Sequence, residues 1–395
     1  MNILIVSAVF RPEPIVSARL SEDIAIELAV DHKVTVISPR PTRPFGFTFL
    51  SKHNSKCYSL INLNSYTCPE SNLFGRFKES YSFGLASSKY IRENKDNIDL
   101  IYMNSWPIFA QYFTVLAAKK CKIPIITHIQ DLYPESLSTK HPYLRFAFNS
   151  LILPLDKIVC KRSNMIIAIS EKMKSHICVT RQISSSKIVV VQNWQDEGEF
   201  VNFQIDNEVS KHKLFTFMYL GNIGPVAGID LLIEAFKKVA SNKCRLVIAG
   251  SGSQKGILIE MVKILKLTRV EFWEVPNGKV PEIQAQADVM LLPIKRGAAE
   301  SSIPSKLPAY MLSKKPIIAC IDNDSETARV VNSANCGWVL APENTDILAD
   351  KLTSVLSVSA DVLSEKGNNG FLYAIKNLSK KPNLSKIVDT LFSLV

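Results

Sequence analysis

Short apolar segments recur along the whole chain and alternate with longer segments of helical periodicity. Six strand-like segments lie in the first half, at residues 3–9, 33–38, 100–104, 123–128, 165–170 and 188–192. Six more lie in the second half, at residues 214–220, 245–249, 269–273, 289–292, 316–321 and 337–340. Apolar strands separated by helices indicate parallel sheets that are covered on both faces. Two such series predict an α/β fold with two Rossmann-like, doubly wound domains.

The boundary between the domains is predicted from a polar, turn-rich segment at residues 194–213. We therefore expect an N-terminal domain over residues 1–195 and a C-terminal domain over residues 212–375. Residues 376–395 have a helical pattern and are expected to return to the first domain. Because doubly wound sheets bind ligands outside the carboxyl ends of their strands, functional loops should follow strands and face a cleft between the domains.

Charge and cysteine usage narrow the class of protein. The net charge is +11, and residues 1–200 hold 24 Lys and Arg against 17 Asp and Glu. This excess suits a polyanion, such as nucleic acid, an anionic membrane surface or pyrophosphate. None of the eight cysteines has Cys-x-x-Cys spacing, which favours reduced thiols in a cytoplasmic protein over a metal site. We expect the N-terminus to be a strand rather than a signal peptide, and no run of about 18 apolar residues predicts a transmembrane helix.

Two segments of the second half predict phosphate binding. Residues 303–307, Ile-Pro-Ser-Lys-Leu, have a Pro-Ser start that is typical of a helix N-terminus, where unpaired N–H groups and the Lys306 ammonium attract phosphate. The loop at residues 221–224, Gly-Asn-Ile-Gly, follows a strand, and its glycines allow the backbone to approach a phosphate. A capped surface helix with an incidental lysine is the alternative interpretation.

In their order along the chain, these segments resemble family 4 retaining glycosyltransferases, which have the GT-B fold. The resemblance is to the bacterial branch that builds O-antigen, capsule and colanic-acid polysaccharides, and within it to N-acetylfucosaminyltransferase-like members. It implies that the nucleotide-sugar donor contacts eleven residues of the second half: Gly221, Asn222, Gly224, Gly250, Val275, Lys295, Arg296, Glu300, Ser305, Lys306 and Leu307.

The chain departs from the family pattern at two places. Asn222 and Ala227 stand where many members have an Arg and a Lys that neutralise the pyrophosphate. Ser301 and Ala309 stand where the usual pair of glutamates would lie, and Glu300 is the nearest carboxylate. Charge neutralisation is therefore expected from the three cations of the donor-binding set.

The segment at residues 127–136 follows an apolar strand and resembles the His-x-Gln-Asp-x-x-Pro-Glu-Ser sequence of the same branch. A histidine and carboxylates at a strand end can bind sugar hydroxyls, and one of them can accept a proton from the acceptor. We therefore predict catalytic roles for His128 and Asp131, together with Lys306. A packed core histidine is the alternative.

The loop at residues 10–19 follows the first strand and lacks the glycine pair that the family usually has there. Arg11, Ser17 and Arg19 are the predicted acceptor-side residues. A turn followed by a solvated helix face accounts for the same sequence.

The resemblance implies transfer of a sugar, with retention of configuration, from a UDP-linked N-acetylated amino sugar to a lipid-linked oligosaccharide of the undecaprenyl-pyrophosphate type. A GDP-fucose-dependent fucosyltransferase and a UDP-N-acetylglucosamine 2-epimerase-like enzyme are the alternatives. No metal and no cofactor are expected. Nucleic-acid binding is not expected, since basic and aromatic residues are not interleaved.

The apolar and basic segment 146–162 predicts peripheral association with the inner face of the plasma membrane, and a buried helix pair is the alternative.

Overall fold

A computed structural model describes residues 1–43, 57–70, 72–104, 107–140, 142–206, 214–276, 278–297 and 303–394. The chain forms two compact units. The first contains Met1–Gln192 and Leu384–Val395, and the second contains Asn193–Asn383.

The first unit contains a parallel sheet of seven strands in the order β3-β2-β1-β4-β5-β6-β7. The strands are β1 (Asn2–Ser7), β2 (Lys33–Ser38), β3 (Ser59–Asn62), β4 (Leu100–Asn104), β5 (Ile125–Ile129), β6 (Met165–Ala168) and β7 (Ile188–Val190). The helices are α1 (Val16–Leu28), α2 (Leu73–Glu93), α3 (Ile108–Cys121), α4 (Glu135–Lys140), α5 (Arg145–Arg162) and α6 (Glu171–Arg181), with short 3-10 helices at Lys95–Asn97, Pro142–Leu144 and Ser185–Lys187.

The second unit contains a parallel sheet of six strands in the order β10-β9-β8-β11-β12-β13. The strands are β8 (Phe215–Leu220), β9 (Cys244–Ala249), β10 (Val270–Trp273), β11 (Val289–Pro293), β12 (Ile317–Cys320) and β13 (Gly337–Leu340). The remaining helices are α7 (Gly198–Asp206), α8 (Ile229–Lys237), α9 (Lys255–Ile264), α10 (Val280–Ala285), α11 (Lys306–Leu312), α12 (Glu326–Ser333), α13 (Thr345–Val355), α14 (Ala360–Asn377) and α15 (Lys380–Phe392).

Both faces of each sheet are buried, which explains why the strands are continuously apolar. Successive residues of a strand point to opposite faces, and Leu4 and Ile5 of β1 are nevertheless 1% and 0% exposed. In β8, Phe217 and Tyr219 pack in one apolar cluster, whereas Met218 packs in another. The predicted pair of parallel-sheet α/β domains is therefore confirmed.

The structure differs from the sequence prediction at two elements. Strand β3 was not predicted, because Ser59–Asn62 is a four-residue edge strand with two apolar residues and mostly exposed side chains. The segment predicted as a polar linker contains helix α7, and Gln195 within it forms a β-bridge with Ser379.

Each sheet has one point at which the direction of strand addition reverses. In the first unit this point lies between β1 and β4, and in the second between β8 and β11. The loops that leave such neighbouring strands diverge and open a crevice at the carboxyl edge, where doubly wound folds bind ligands. These two carboxyl edges are therefore the candidate ligand-binding sites.

Candidate functional site

At the carboxyl edge of the second sheet, Lys306 packs across the glycine loop that follows β8. A Cβ atom placed on Gly221 would lie 2.1 Å from Cε of Lys306, so only a glycine allows the lysine stem to cover the loop backbone at this point. The ammonium Nζ lies 5.5 Å from the ring centroid of Tyr219, within cation–π range. Burial lowers the pKa of Lys306 from its ordinary value. The lysine therefore places a partly desolvated charge against exposed backbone.

Tyr310 fixes helix α11, and with it Lys306, to the end of β8. Its hydroxyl donates to the Leu220 carbonyl at 2.7 Å and accepts from the Leu220 N–H at 2.9 Å. The tyrosine is fully buried, and this burial raises the pKa of Tyr310 well above its ordinary value. The hydroxyl therefore stays protonated and can serve both bonds.

The end of β9 contributes a second close backbone approach. Gly250 has a φ of 130°, which disfavours other residues, and a Cβ atom there would lie 2.1 Å from the Gly221 carbonyl oxygen. The Gly221 N–H donates to Ala249, and the Gly250 N–H donates to Trp273 at the end of β10. The ends of β8, β9 and β10 are thus held together by backbone hydrogen bonds, and Gly221 and Gly250 place no side chains between them.

The other predicted donor-binding residues range from exposed to fully buried. Asn222 and Ser305 are exposed, and Leu307 is fully buried in the core. Gly224 lies beside Asn222, since a Cβ atom on it would be 3.2 Å from the amide nitrogen. Val275 follows β10, is half-buried and packs against the core of this unit.

Two of the predicted cations already have carboxylate partners. Lys295 lies 3.7 Å from Asp230, and Arg296 lies 3.8 Å from Glu343. All four side chains are largely exposed, and exposed pairs of this kind are weak. Lys295 and Arg296 can therefore exchange these partners for an anionic ligand at little cost. Glu300 lies outside the described residues.

The described carboxylates of this edge lie apart from one another. The chain contains an Asp-x-Asp sequence after β12, at Asp322 and Asp324. Asp322 accepts a hydrogen bond from the Gly297 N–H at 2.7 Å, so it organises the loop after β11. Among the described residues, no group of three or more His, Cys, Asp and Glu side chains is placed to hold a metal ion.

In the first unit, His128 lies within β5 and is 1% exposed. Its Nδ1 lies 2.6 Å from the Tyr102 hydroxyl on the neighbouring strand, and its Nε2 is buried without a partner among the described residues. Burial lowers the pKa of His128 to about 4. The ring is therefore neutral at physiological pH and is enclosed by the core.

Asp131, three residues after His128, is exposed just beyond the end of β5. The carboxylate that follows it in the same motif, Glu135, is engaged within the unit. Both of its oxygens bind the Arg181 guanidinium, and Oε1 also lies 2.6 Å from Nε2 of His176. Arg181 also donates to Asp156 at 2.7 Å and to the Tyr133 carbonyl at 2.5 Å. Arg181 therefore holds the loop that carries Asp131.

The predicted acceptor-side residues follow β1. Arg11 lies in the loop before α1 and pairs with Glu22 of that helix at 3.0 Å, so its charge is directed to α1. Ser17 and Arg19 lie in the first turns of α1, where the Ser17 carbonyl accepts a bond from the Ser21 hydroxyl.

Sequence reasoning did not select Glu13, which lies in the same loop and is 3% exposed. Its Oε1 accepts from the N–H groups of Thr42 and Arg43 at 2.7 and 2.9 Å. Desolvation raises the pKa of Glu13 despite these bonds. The Arg43 side chain in turn pairs with Glu79 of α2 at 2.9 Å. A Pro on each side of Glu13 was the available signal, because it marks a rigid turn rather than a solvated segment.

Known glycosyltransferases match both units of the chain. The model described as Glycosyltransferase Family 4 matches residues 18–198, and the model described as Glycosyl transferases group 1 matches residues 215–358. Probable glycosyltransferase WbjE of Pseudomonas aeruginosa is 23% identical over 261 residues, or 60% of each chain. Capsular polysaccharide biosynthesis glycosyltransferase CapM of Staphylococcus aureus is 35% identical over 107 residues, which cover 25% of this chain and 28% of CapM.

The chain therefore spans about 60% of the length of WbjE and a smaller share of CapM. Among solved structures, Anabaena Alr3699/HepE in complex with UDP superposes with a TM-score of 0.71 and 16% identity, and the match covers 100% of both chains. One glycosyltransferase family model thus matches the first part of the chain and another matches the second part, and the two units have the fold of the GT-B glycosyltransferases.

Proposed function

We propose that this protein is a retaining glycosyltransferase that moves a sugar from a UDP-sugar to a lipid-linked saccharide in the biosynthesis of a bacterial surface polysaccharide. The observation that carries the proposal is the packing of Lys306 across Gly221 at the β8–β11 edge. A loop with glycine at both ends and a partly buried ammonium together suit a diphosphate. The matching family models and the UDP bound to HepE support this assignment.

In the proposed reaction, the bond between the sugar and the UDP breaks, and the diphosphate gains negative charge as it leaves. Lys306 and the N–H groups of Asn222 and Gly224 stabilise that charge without a metal ion. Lys295 and Arg296 add a weaker, exposed contribution. In the first unit we assign Asp131 to the acceptor hydroxyl, because it is exposed at a strand end, while buried His128 keeps β5 in place.

An N-acetylated amino sugar is the proposed group transferred, on the basis of the resemblance. The test incubates the protein with UDP-N-acetylglucosamine, UDP-glucose and GDP-fucose and measures release of free nucleotide and the shift in melting temperature. Release of UDP and stabilisation by UDP support the proposal. Stabilisation by GDP-fucose alone supports the fucosyltransferase, and an epimerised sugar still attached to UDP supports the epimerase.

We also propose that the protein acts at the inner face of the plasma membrane. No helix among the described residues is long and apolar enough to cross a membrane. On α5, however, Phe146 and Leu151 are 86% and 71% exposed, while the last turn carries Lys161 and Arg162. A helix that carries both exposed apolar side chains and cations suits an anionic lipid surface.

A further inference from the structure

A pocket of about 480 Å³ lies among helices α4, α5 and α6 of the first unit. Its lining consists of seven residues: Glu135, Ser138, Arg145, Asn149, Leu153, His176 and Thr180. The α5 residues are spaced four apart and so share one face of the helix, as do the two residues of α6. The volume lies within the range of small-molecule sites, roughly 300–1,000 Å³.

The carboxylate of this pocket is held in a fixed orientation. Glu135 receives bonds to both oxygens from Arg181, which is itself fully buried, and His176 contacts Oε1 at 2.6 Å. Although desolvation opposes ionisation, the bonds from Arg181 and His176 outweigh it and lower the pKa of Glu135 to about 2. The pocket therefore contains a preorganised hydrogen-bond acceptor that is ionised at neutral pH.

Three other polar groups of the pocket have no partner among the described residues. The Ser138 hydroxyl oxygen is buried and has no hydrogen-bond partner among the described residues. The exposed side chains of Arg145 and Asn149 form no hydrogen bond or ion pair with any residue that the structure describes. A buried hydroxyl without a partner is costly, and a ligand that bonds to it would recover that free energy.

The mixture of these groups selects the chemistry of the ligand. Arg145, Ser138 and Asn149 can donate hydrogen bonds, while Glu135 and the Asn149 carbonyl can accept them. Adjacent sugar hydroxyls both donate and accept, so they can use every one of these groups. A phosphate offers acceptors to Arg145, Ser138 and Asn149 but no donor to Glu135, and a nucleobase would need a flat apolar slot, whereas Leu153 is the single apolar residue of this lining.

We propose that this pocket binds a sugar residue of the saccharide acceptor. The proposal rests on the proposed transferase function, because that function supplies the saccharide. Glu135 begins α4 shortly after the carboxyl end of β5, so the pocket borders the strand edge at which Asp131 lies. The pocket would be an acceptor subsite separate from Arg11, Ser17 and Arg19.

The test uses saturation-transfer NMR with methyl glycosides of N-acetylglucosamine, glucose and galactose at millimolar concentration, on the full-length protein. The variants are Ser138→Ala and Asn149→Ala, which remove groups that bond to no residue in the described part of the chain. Ser150→Ala is the matched control, because Ser150 is the exposed neighbour on α5 that does not line the pocket. Binding of UDP to all four proteins is measured separately by calorimetry.

We expect at least one glycoside to bind the wild type and Ser150→Ala equally, and to bind each pocket variant about two- to tenfold more weakly. UDP affinity should be the same in all four proteins, because no donor-binding residue is changed. Equal glycoside binding by wild type and both pocket variants would overturn the proposal, as would the absence of binding by all three glycosides. If the wild type does not bind UDP, the proposed function is refuted instead.

Discussion

Replacing Tyr310 with phenylalanine should loosen the contact between α11 and the end of β8. The hydroxyl makes two hydrogen bonds to Leu220, one to its carbonyl and one to its N–H. Tyr310 is 0% exposed and Leu220 is 8% exposed, so water cannot replace the lost partner. Tyr310→Phe therefore leaves a donor and an acceptor of the Leu220 backbone unpaired in the core.

The size of the effect follows from these two bonds. A net contribution of about 0.5–1.5 kcal/mol for each gives a loss of roughly 1–3 kcal/mol in the free energy of unfolding of the second unit. For a domain of this size, each kcal/mol changes the melting temperature by about 2–4 °C, so we expect a decrease of roughly 2–12 °C. UDP affinity should fall as well, because Lys306 is carried by the same helix.

Thermal and urea unfolding of the purified protein measure this loss, and Tyr373→Phe is the matched control. Tyr373 is half-buried and packs against the same apolar cluster, and its hydroxyl makes no hydrogen bond among the described residues. The control should unfold within error of the wild type. If Tyr310→Phe is as stable as Tyr373→Phe, the two bonds to Leu220 do not hold α11 and the reasoning fails.

The remaining predictions concern charge. Lys306→Ala should lower UDP-sugar turnover about a hundredfold, with partial rescue by Lys306→Arg, and unchanged turnover at saturating donor would contradict the role of Lys306. Because the folded pKa of His128 is about 4 and its ordinary value is 6.5, the unfolded chain binds more protons between those values. The stability that neutral His128 contributes is present above pH 6.5 and is lost as the pH falls toward 4, by at most about 3 kcal/mol. Urea midpoints measured from pH 7 to 4.5 should therefore fall more steeply in the wild type than in His128→Asn, and parallel curves would disprove this. Charge reversal at Lys157, Lys161 and Arg162 should weaken binding to anionic vesicles at low salt in a sedimentation assay, at roughly 1 kcal/mol per cation engaged. The membrane proposal fails if the wild type does not bind such vesicles at any ionic strength.

The features that could be predicted from the sequence are those set by neighbouring residues. The apolar strands and the glycines after β8 and β9 are local patterns, and the structure has them at the predicted positions. The helix that begins at Lys306 was likewise signalled by its Pro-Ser start. In contrast, the bonds from Tyr310 to Leu220 join residues 90 apart, and no local pattern reports them.

The environment of a polar side chain was harder to predict than its position. The motif that contains His128 located a strand end, but strands buried on both faces show no alternation that separates a core histidine from an exposed one. Arg181 lies in an amphipathic helical pattern, where a charged residue is normally assigned to solvent, yet it is fully buried. Its partners Glu135 and Asp156 lie on two other helices, so their pairing depends on the fold alone.

The strand order of the second unit has a consequence for the assembly of the site during folding. Strands β8 and β11 are neighbours in the sheet, but three helices and two strands separate them along the chain. A nascent chain that ends before Lys306 has its glycine loop but lacks the cation that covers it. Contacts of such long sequence separation form late, since the intervening chain must be ordered first. Nucleotide binding would therefore report the docking of α11, and a nascent chain would gain stability from cellular UDP only after that step.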